Sequence, residues 1–162
     1  MKILLFSMVS LLCSGMLRAA DAAANPSVRI TVKAVSEGTN RSKNSAVSSR
    51  RLRIVIENRE SRRLEDLKLD WSIYGKDIGS HNKKVDAKGT KPVTLEANGE
   101  TTVESDIAKF TEKEGVPKTV GKGKNKRRVA QPDTGRDYAG YVVELKQGGK
   151  VIAEASTVGL GK

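Results

Sequence analysis

The run Leu67-Lys68-Leu69-Asp70-Trp71-Ser72-Ile73-Tyr74 constrains the fold more than any other part of the chain. Leu67, Leu69, Trp71 and Ile73 occupy alternate positions, which share one face of a β-strand but scatter around a helix. The same period of two recurs in Val28-Arg29-Ile30-Thr31-Val32 and in Leu52-Arg53-Ile54-Val55-Ile56. Strands with a single apolar face bury it only against a second layer. Residues 93–97 and 101–107 flank Asn98-Gly99, a pair that tolerates positive φ and signals a hairpin; residues 141–145 and 151–155 flank Gly148-Gly149 in the same way. No segment shows convincing amphipathic helical spacing. The expectation is an all-β domain of seven antiparallel strands in a two-sheet sandwich, with loops at 36–49 and around Gly75, Gly79 and Gly89. Its core would contain Leu52, Ile54, Ile56, Leu67, Leu69, Trp71, Ile73, Val93, Leu95, Val103, Tyr141, Val143, Leu145, Val151 and Ala153.

The first residues predict export. Lys2 precedes the apolar run 3–12, and Ala20-Asp21-Ala22 follows as a small-residue cleavage site, so residues 1–22 read as a signal peptide and 26–162 as the domain. The stretch 3–17 is interrupted by serines and a glycine and is shorter than the ~20 apolar residues of a bilayer span, so no retained transmembrane helix is expected. Cys13 is the sole cysteine, and Leu12 before it lacks the small side chain of a lipoprotein site. Cleavage after it leaves a secreted or periplasmic protein with neither a disulfide nor thiol chemistry. Asn40-Arg41-Ser42 is a glycosylation sequon, meaningful only in a source that glycosylates exported proteins.

Residue types that carry chemistry are sparse. His81 is the only histidine; Ser80 and Asp86 lie near it, but in a Gly- and Lys-rich stretch without a nucleophile elbow. One histidine and no thiolate do not make the usual zinc site. Gly121-Lys122-Gly123-Lys124 satisfies neither phosphate-loop pattern. Trp71 belongs to an apolar strand face, and Tyr74 and Tyr141 are a weak basis for a sugar-stacking platform. The sequence therefore predicts no catalytic, cofactor-binding or metal-ligating residues, and a protein that is not an enzyme.

Three segments carry a family resemblance: Leu52-Arg-Ile-Val-Ile-Glu-Asn58, the Trp71 strand, and Val93-Thr-Leu-Glu-Ala-Asn-Gly-Glu100. They resemble bacterial exported immunoglobulin-like or fibronectin type III-like β-sandwich domains of uncharacterised function, in which an Asn closes an early strand and L-x-x-x-G opens a hairpin. The ending, from Tyr141 to Glu154, is similar to the last hairpin of such secreted proteins. The resemblance implies a fold and no activity.

Charge supplies the remaining signal. Lys and Arg number 30 against 19 Asp and Glu, a formal net charge of +11. Residues 109–136 hold nine basic and three acidic residues, with Lys122, Lys124, Lys126, Arg127 and Arg128 packed into seven positions. A connection this long is either functional or unstructured. It has three readings: a solvated loop that aids solubility, a polyanion-binding loop built on those five cations, or a processing site at Lys126-Arg127-Arg128. The functional expectation is a non-enzymatic exported binding or structural module that contacts an envelope or extracellular polyanion through the basic loop. The alternative is a protein-assembly module that pairs with a protein partner through an exposed sheet edge.

Overall fold

The computed structural model describes residues 27–158; the leader, Cys13 and the cleavage site lie outside the described residues. Within them the chain is all-β and has ten strands. Eight form one antiparallel sheet, and two form a separate ribbon, so the expected count of seven is too low.

β1 (Val28–Ser42) and β2 (Ser45–Asn58) form a deep hairpin whose last paired residues, Ser42 and Ser45, leave only Lys43 and Asn44 in the turn. The loop expected at 36–49 is therefore strand. This half of the hairpin has no fully buried face, so apolar alternation fades, while backbone pairing continues past a bulge at Gly38 (φ +130°).

β3 (Leu64–Asp77) and β4 (Lys83–Leu95) form a second hairpin, which draws Gly75 and Gly89 into strands rather than a loop. Trp71 opposes Gly89, and the indole lies where a side chain at 89 would stand. That glycine is a packing requirement of the tryptophan.

Asn98-Gly99 makes a turn but not a hairpin. Gly99 N–H donates to the Glu96 carbonyl at 3.1 Å, and Asn98 takes φ +50°. β4 stays on β3, whereas β5 (Glu100–Glu104) pairs with β2, from Arg53↔Glu104 to Glu57↔Glu100. The chain crosses between the halves of the sheet because Asn58 holds this turn. Its side chain, 1% exposed, donates to the carbonyls of Glu96 (2.8 Å) and Arg62 (2.9 Å) and accepts from Glu60 N–H (3.0 Å). Backbone bonds from Asn58 to Gly99 and from Asn98 to Glu60, both 2.8 Å, complete the junction.

Beyond β5, Ser105 bridges a gap in the ladder. Its hydroxyl accepts from Leu52 N–H at 2.8 Å, and β6 (Ala108–Lys113) then resumes pairing along the first half of β2. Two later strands, β7 (Lys118–Val120) and β8 (Arg127–Val129), pair only with each other. β9 (Thr134–Gln147) pairs with β3 and turns through Gly148-Gly149 (φ +56° and +82°) into β10 (Lys150–Ser156), the hairpin that the sequence predicts. The strand order is β1-β2-β6-β9-β3-β4, with β5 beside β2 and β10 beside β9.

Leu52, Ile54 and Ile56 of β2 share one buried cluster with Leu69, Trp71 and Ile73 of β3 and Val143 and Leu145 of β9, so the sheet closes over itself in a sandwich-like arrangement. Two expected core members differ. Tyr141 is half-buried and donates its hydroxyl to the Val32 carbonyl at 3.4 Å, and Val151 lies at a bulge in β10. Phe110, from the stretch expected to be a loop, is among the most buried side chains.

Asn58→Ala should destabilise the protein by about 2–4 kcal/mol, because it leaves buried carbonyl and amide groups without partners. Denaturant unfolding checks this, and a loss below about 1 kcal/mol contradicts the role given to Asn58.

Candidate functional site

The five cations singled out in the sequence sit at the end of the β7–β8 ribbon. Lys122 precedes a single 3-10 turn (Gly123–Asn125) that contains Lys124; Lys126 ends the turn, and Arg127 and Arg128 begin β8. All five are exposed. The segment read as one loop is therefore ordered into β6, ribbon and the start of β9, and it does not splay under its own charge. The ladder pairs Thr119 with Arg128 and Val120 with Arg127, and Gly121 (φ +107°) allows the backbone to close against Asn125. Cross-strand partners point to the same side, so Lys118, Val120, Arg127 and Val129 share one face while Thr119 and Arg128 share the other.

Glycines shape the neck of the ribbon. Gly115 and Gly135 (φ +121°) lie where a Cβ would strike the backbone of Gln131 and of Thr111, respectively. Gly115 N–H donates to Asp133 Oδ1 at 2.9 Å, and Glu114 N–H donates to the Asn44 carbonyl of the β1–β2 turn at 3.0 Å. Glu112, Glu114 and Asp133 line a cleft of about 250 Å³ together with Arg41 and Lys43 of that turn. Every acid of the segment is thus at the neck, beside cations from another hairpin. Residues 115–131 contain Lys118 and the five cations, and no acid.

Arg136 fastens the base. Its guanidinium pairs with Asp86 of β4 and, at 3.2 Å, with Asp77 of β3, and it donates to the Gly75 carbonyl at 3.3 Å. Burial pushes the Asp86 carboxyl above its usual range against the opposing pull of Arg136. Elsewhere the charges pair locally. Arg51 joins Glu37 (2.7 Å) to Glu104 (2.6 Å), and Lys146 joins Asp70 (2.9 Å) to Glu144 (2.6 Å). Among the described residues, no ion pair includes a residue between 109 and 135.

The other sequence candidates do not converge. His81 is exposed in the β3–β4 turn, Ser80 Oγ accepts from Asn82 N–H at 3.1 Å, and Asp86 is engaged by Arg136. Tyr74 opposes Gly140 whereas Tyr141 opposes Ile73, so the two rings project from opposite faces and form no platform. Tyr141 and Tyr138 adjoin an open cleft of about 650 Å³ with Lys33, Lys76 and Lys83 at its rim. Tyr138 packs edge-on against Phe110, with ring centroids 5.9 Å apart, beneath the Arg50 guanidinium at 5.2 Å, which assigns it to the core wall. Lys118 and the exposed Val120 are ribbon residues that the cluster of five cations leaves out. The alternation Lys118-Thr119-Val120 opposite Arg127-Arg128-Val129 is the signal that finds them.

No protein-family model matches the chain, and no curated protein matches it. Among solved structures, it is similar at 13% identity to one described as the X-ray structure of Northeast Structural Genomics Consortium target SoR45, over 85% of this chain and 90% of that one, with a TM-score of 0.40. It is also similar at 13% identity to a crystal structure from Akkermansia muciniphila, over 83% of this chain and 73% of that one, with a TM-score of 0.32.

Arg136→Met should raise the Asp86 pKa further, because the favourable cation goes while the burial stays. A carboxylate whose folded pKa lies above its unfolded value contributes stability that is present at low pH and lost as pH rises through the folded value. The variant should therefore lose ground to the parent as pH rises from below the ordinary carboxylate range towards neutrality. Carbon-detected NMR titration of Asp86, with denaturation at both limits, measures the two effects; an unchanged Asp86 titration contradicts the assignment.

Proposed function

We propose that the protein is a non-enzymatic exported module, secreted or periplasmic, that binds polyanions through the β7–β8 ribbon. The observation that carries this reading is the separation of charge along one excursion of the chain. Three acids sit at the neck beside Arg41 and Lys43, and six cations stand beyond them, exposed and outside every ion pair of the body. A paired surface charge has little left to offer a partner; six unpaired cations on one short ribbon make a field of a single sign. Lys122, Lys124, Lys126, Arg127 and Arg128 supply the binding energy, and Lys118 extends the patch along β7. The immunoglobulin-like or fibronectin type III-like kind of sandwich is supported by Trp71 on an inner strand and by the Asn98-Gly99 crossing between the halves of the sheet.

One observation favours strand pairing as a second reading. β1 and β4 end the strand order; β4 carries Lys84, Lys88, Lys91 and Pro92 along it, whereas β1 has no proline and is guarded only by Arg29, Lys33, Arg41 and its Gly38 bulge. β1 is the edge that a partner strand would join.

Replacement of the five cations by serine separates the two readings. If five phosphates are contacted, log K for duplex DNA should fall against log salt with a slope of about −4 to −5, and the variant should flatten that slope. Stability should change by less than about 0.5 kcal/mol, because the positions are solvated. Unchanged heparin and DNA affinity in the five-serine variant defeats the ribbon reading, and partner capture that withstands high salt supports β1 pairing.

A further inference from the structure

Of the four large apolar side chains that are most exposed among the described residues, two belong to the ribbon segment: Val116 at 55% and Val120 at 47%. The other two, Val85 and Ile107, lie on β4 and just before β6. Val120 stands directly across from Arg127, and Val129 across from Lys118, so one face of the ribbon alternates apolar and cationic side chains. Phosphate contact alone gives no use to exposed valines, and the ribbon offers no aromatic ring on which a base could stack. An anionic bilayer surface uses both. Its headgroup phosphates meet lysine and arginine, while the acyl boundary just beneath accepts short apolar side chains.

Resting on the polyanion reading, we propose that the polyanion is an anionic lipid surface, with Val120, between Lys118 and the five cations at the end of the ribbon, and Val116, just before β7, entering the headgroup boundary. The geometry suits this partner. The ribbon makes no sheet pairing with the body, and its neck is held by Arg136, the Gly115–Asp133 bond and the Glu114–Asn44 bond. It can therefore meet a plane without disturbing the core. Glu112, Glu114 and Asp133 stay at the neck, and residues 115–131 add no acid to the ribbon.

The test compares the protein with a Val116→Ser, Val120→Ser variant on three probes: phosphatidylcholine vesicles containing phosphatidylglycerol, pure phosphatidylcholine vesicles, and heparin. The parent should bind the mixed vesicles and not the pure ones. The variant should bind the mixed vesicles about tenfold more weakly and heparin within about twofold of the parent. Equal vesicle affinity of parent and variant overturns the insertion of the valines. Binding to heparin without binding to vesicles overturns the lipid surface and leaves the polyanion reading standing. Binding to none of the anionic probes overturns both.

Discussion

The path of the chain turns on Asn58. A buried amide is tolerated only when its donors and acceptor are all engaged, and here the three bonds are shared between two turn segments. The carbonyl of Glu96 belongs to the crossing that ends β4; those of Arg62 and the N–H of Glu60 belong to the connection from β2 to β3. One side chain thus fixes two of the places where the chain leaves one half of the sheet for the other. Without that junction, β5 has no reason to settle on β2, and Val103 no route into the core cluster.

The Trp71 strand, the β2 core face and the Gly148-Gly149 hairpin were legible because side-chain alternation and turn chemistry agree in them. Legibility failed where only one of the two was present. Residues 36–49 pair by backbone alone, with no buried face to impose a period, so their serines and asparagines read as loop. Asn98-Gly99 gave the correct turn and the wrong partner, since local φ preference says nothing about which strand receives the chain. That choice is made by Asn58, forty residues earlier in sequence. Phe110 is hidden in the sequence by its charged neighbours, Lys109, Glu112 and Lys113, which are exposed while the ring is buried. In the ribbon the cations themselves were evident, and their order was not. Mutual repulsion favours a solvated coil, but a cross-strand ladder and a glycine turn hold them.

Charge is handled differently in the two parts of the molecule. In the body, long basic side chains reach across strands to carboxylates, as Arg51 does to Glu37 and Glu104 and Arg136 does to Asp77 and Asp86. Asp70 shows the chemical effect: the Thr90 hydroxyl (2.6 Å) and the Lys146 ammonium hold its carboxyl below the ordinary range. The ribbon has no such partners, and the short-range screening that quiets the body is absent from it.

The neck also makes the ribbon separable from the fold. Lys113 and Thr134 are direct cross-strand partners, so the twenty residues between them leave and return at adjacent points of one sheet. Closing a loop costs free energy that grows only with the logarithm of its length, so a longer or shorter excursion at this place changes the stability of the sheet little. The scaffold and the appendage can then vary on separate schedules: the core under the demands of packing, and the ribbon, in length and composition, under whatever surface it must meet.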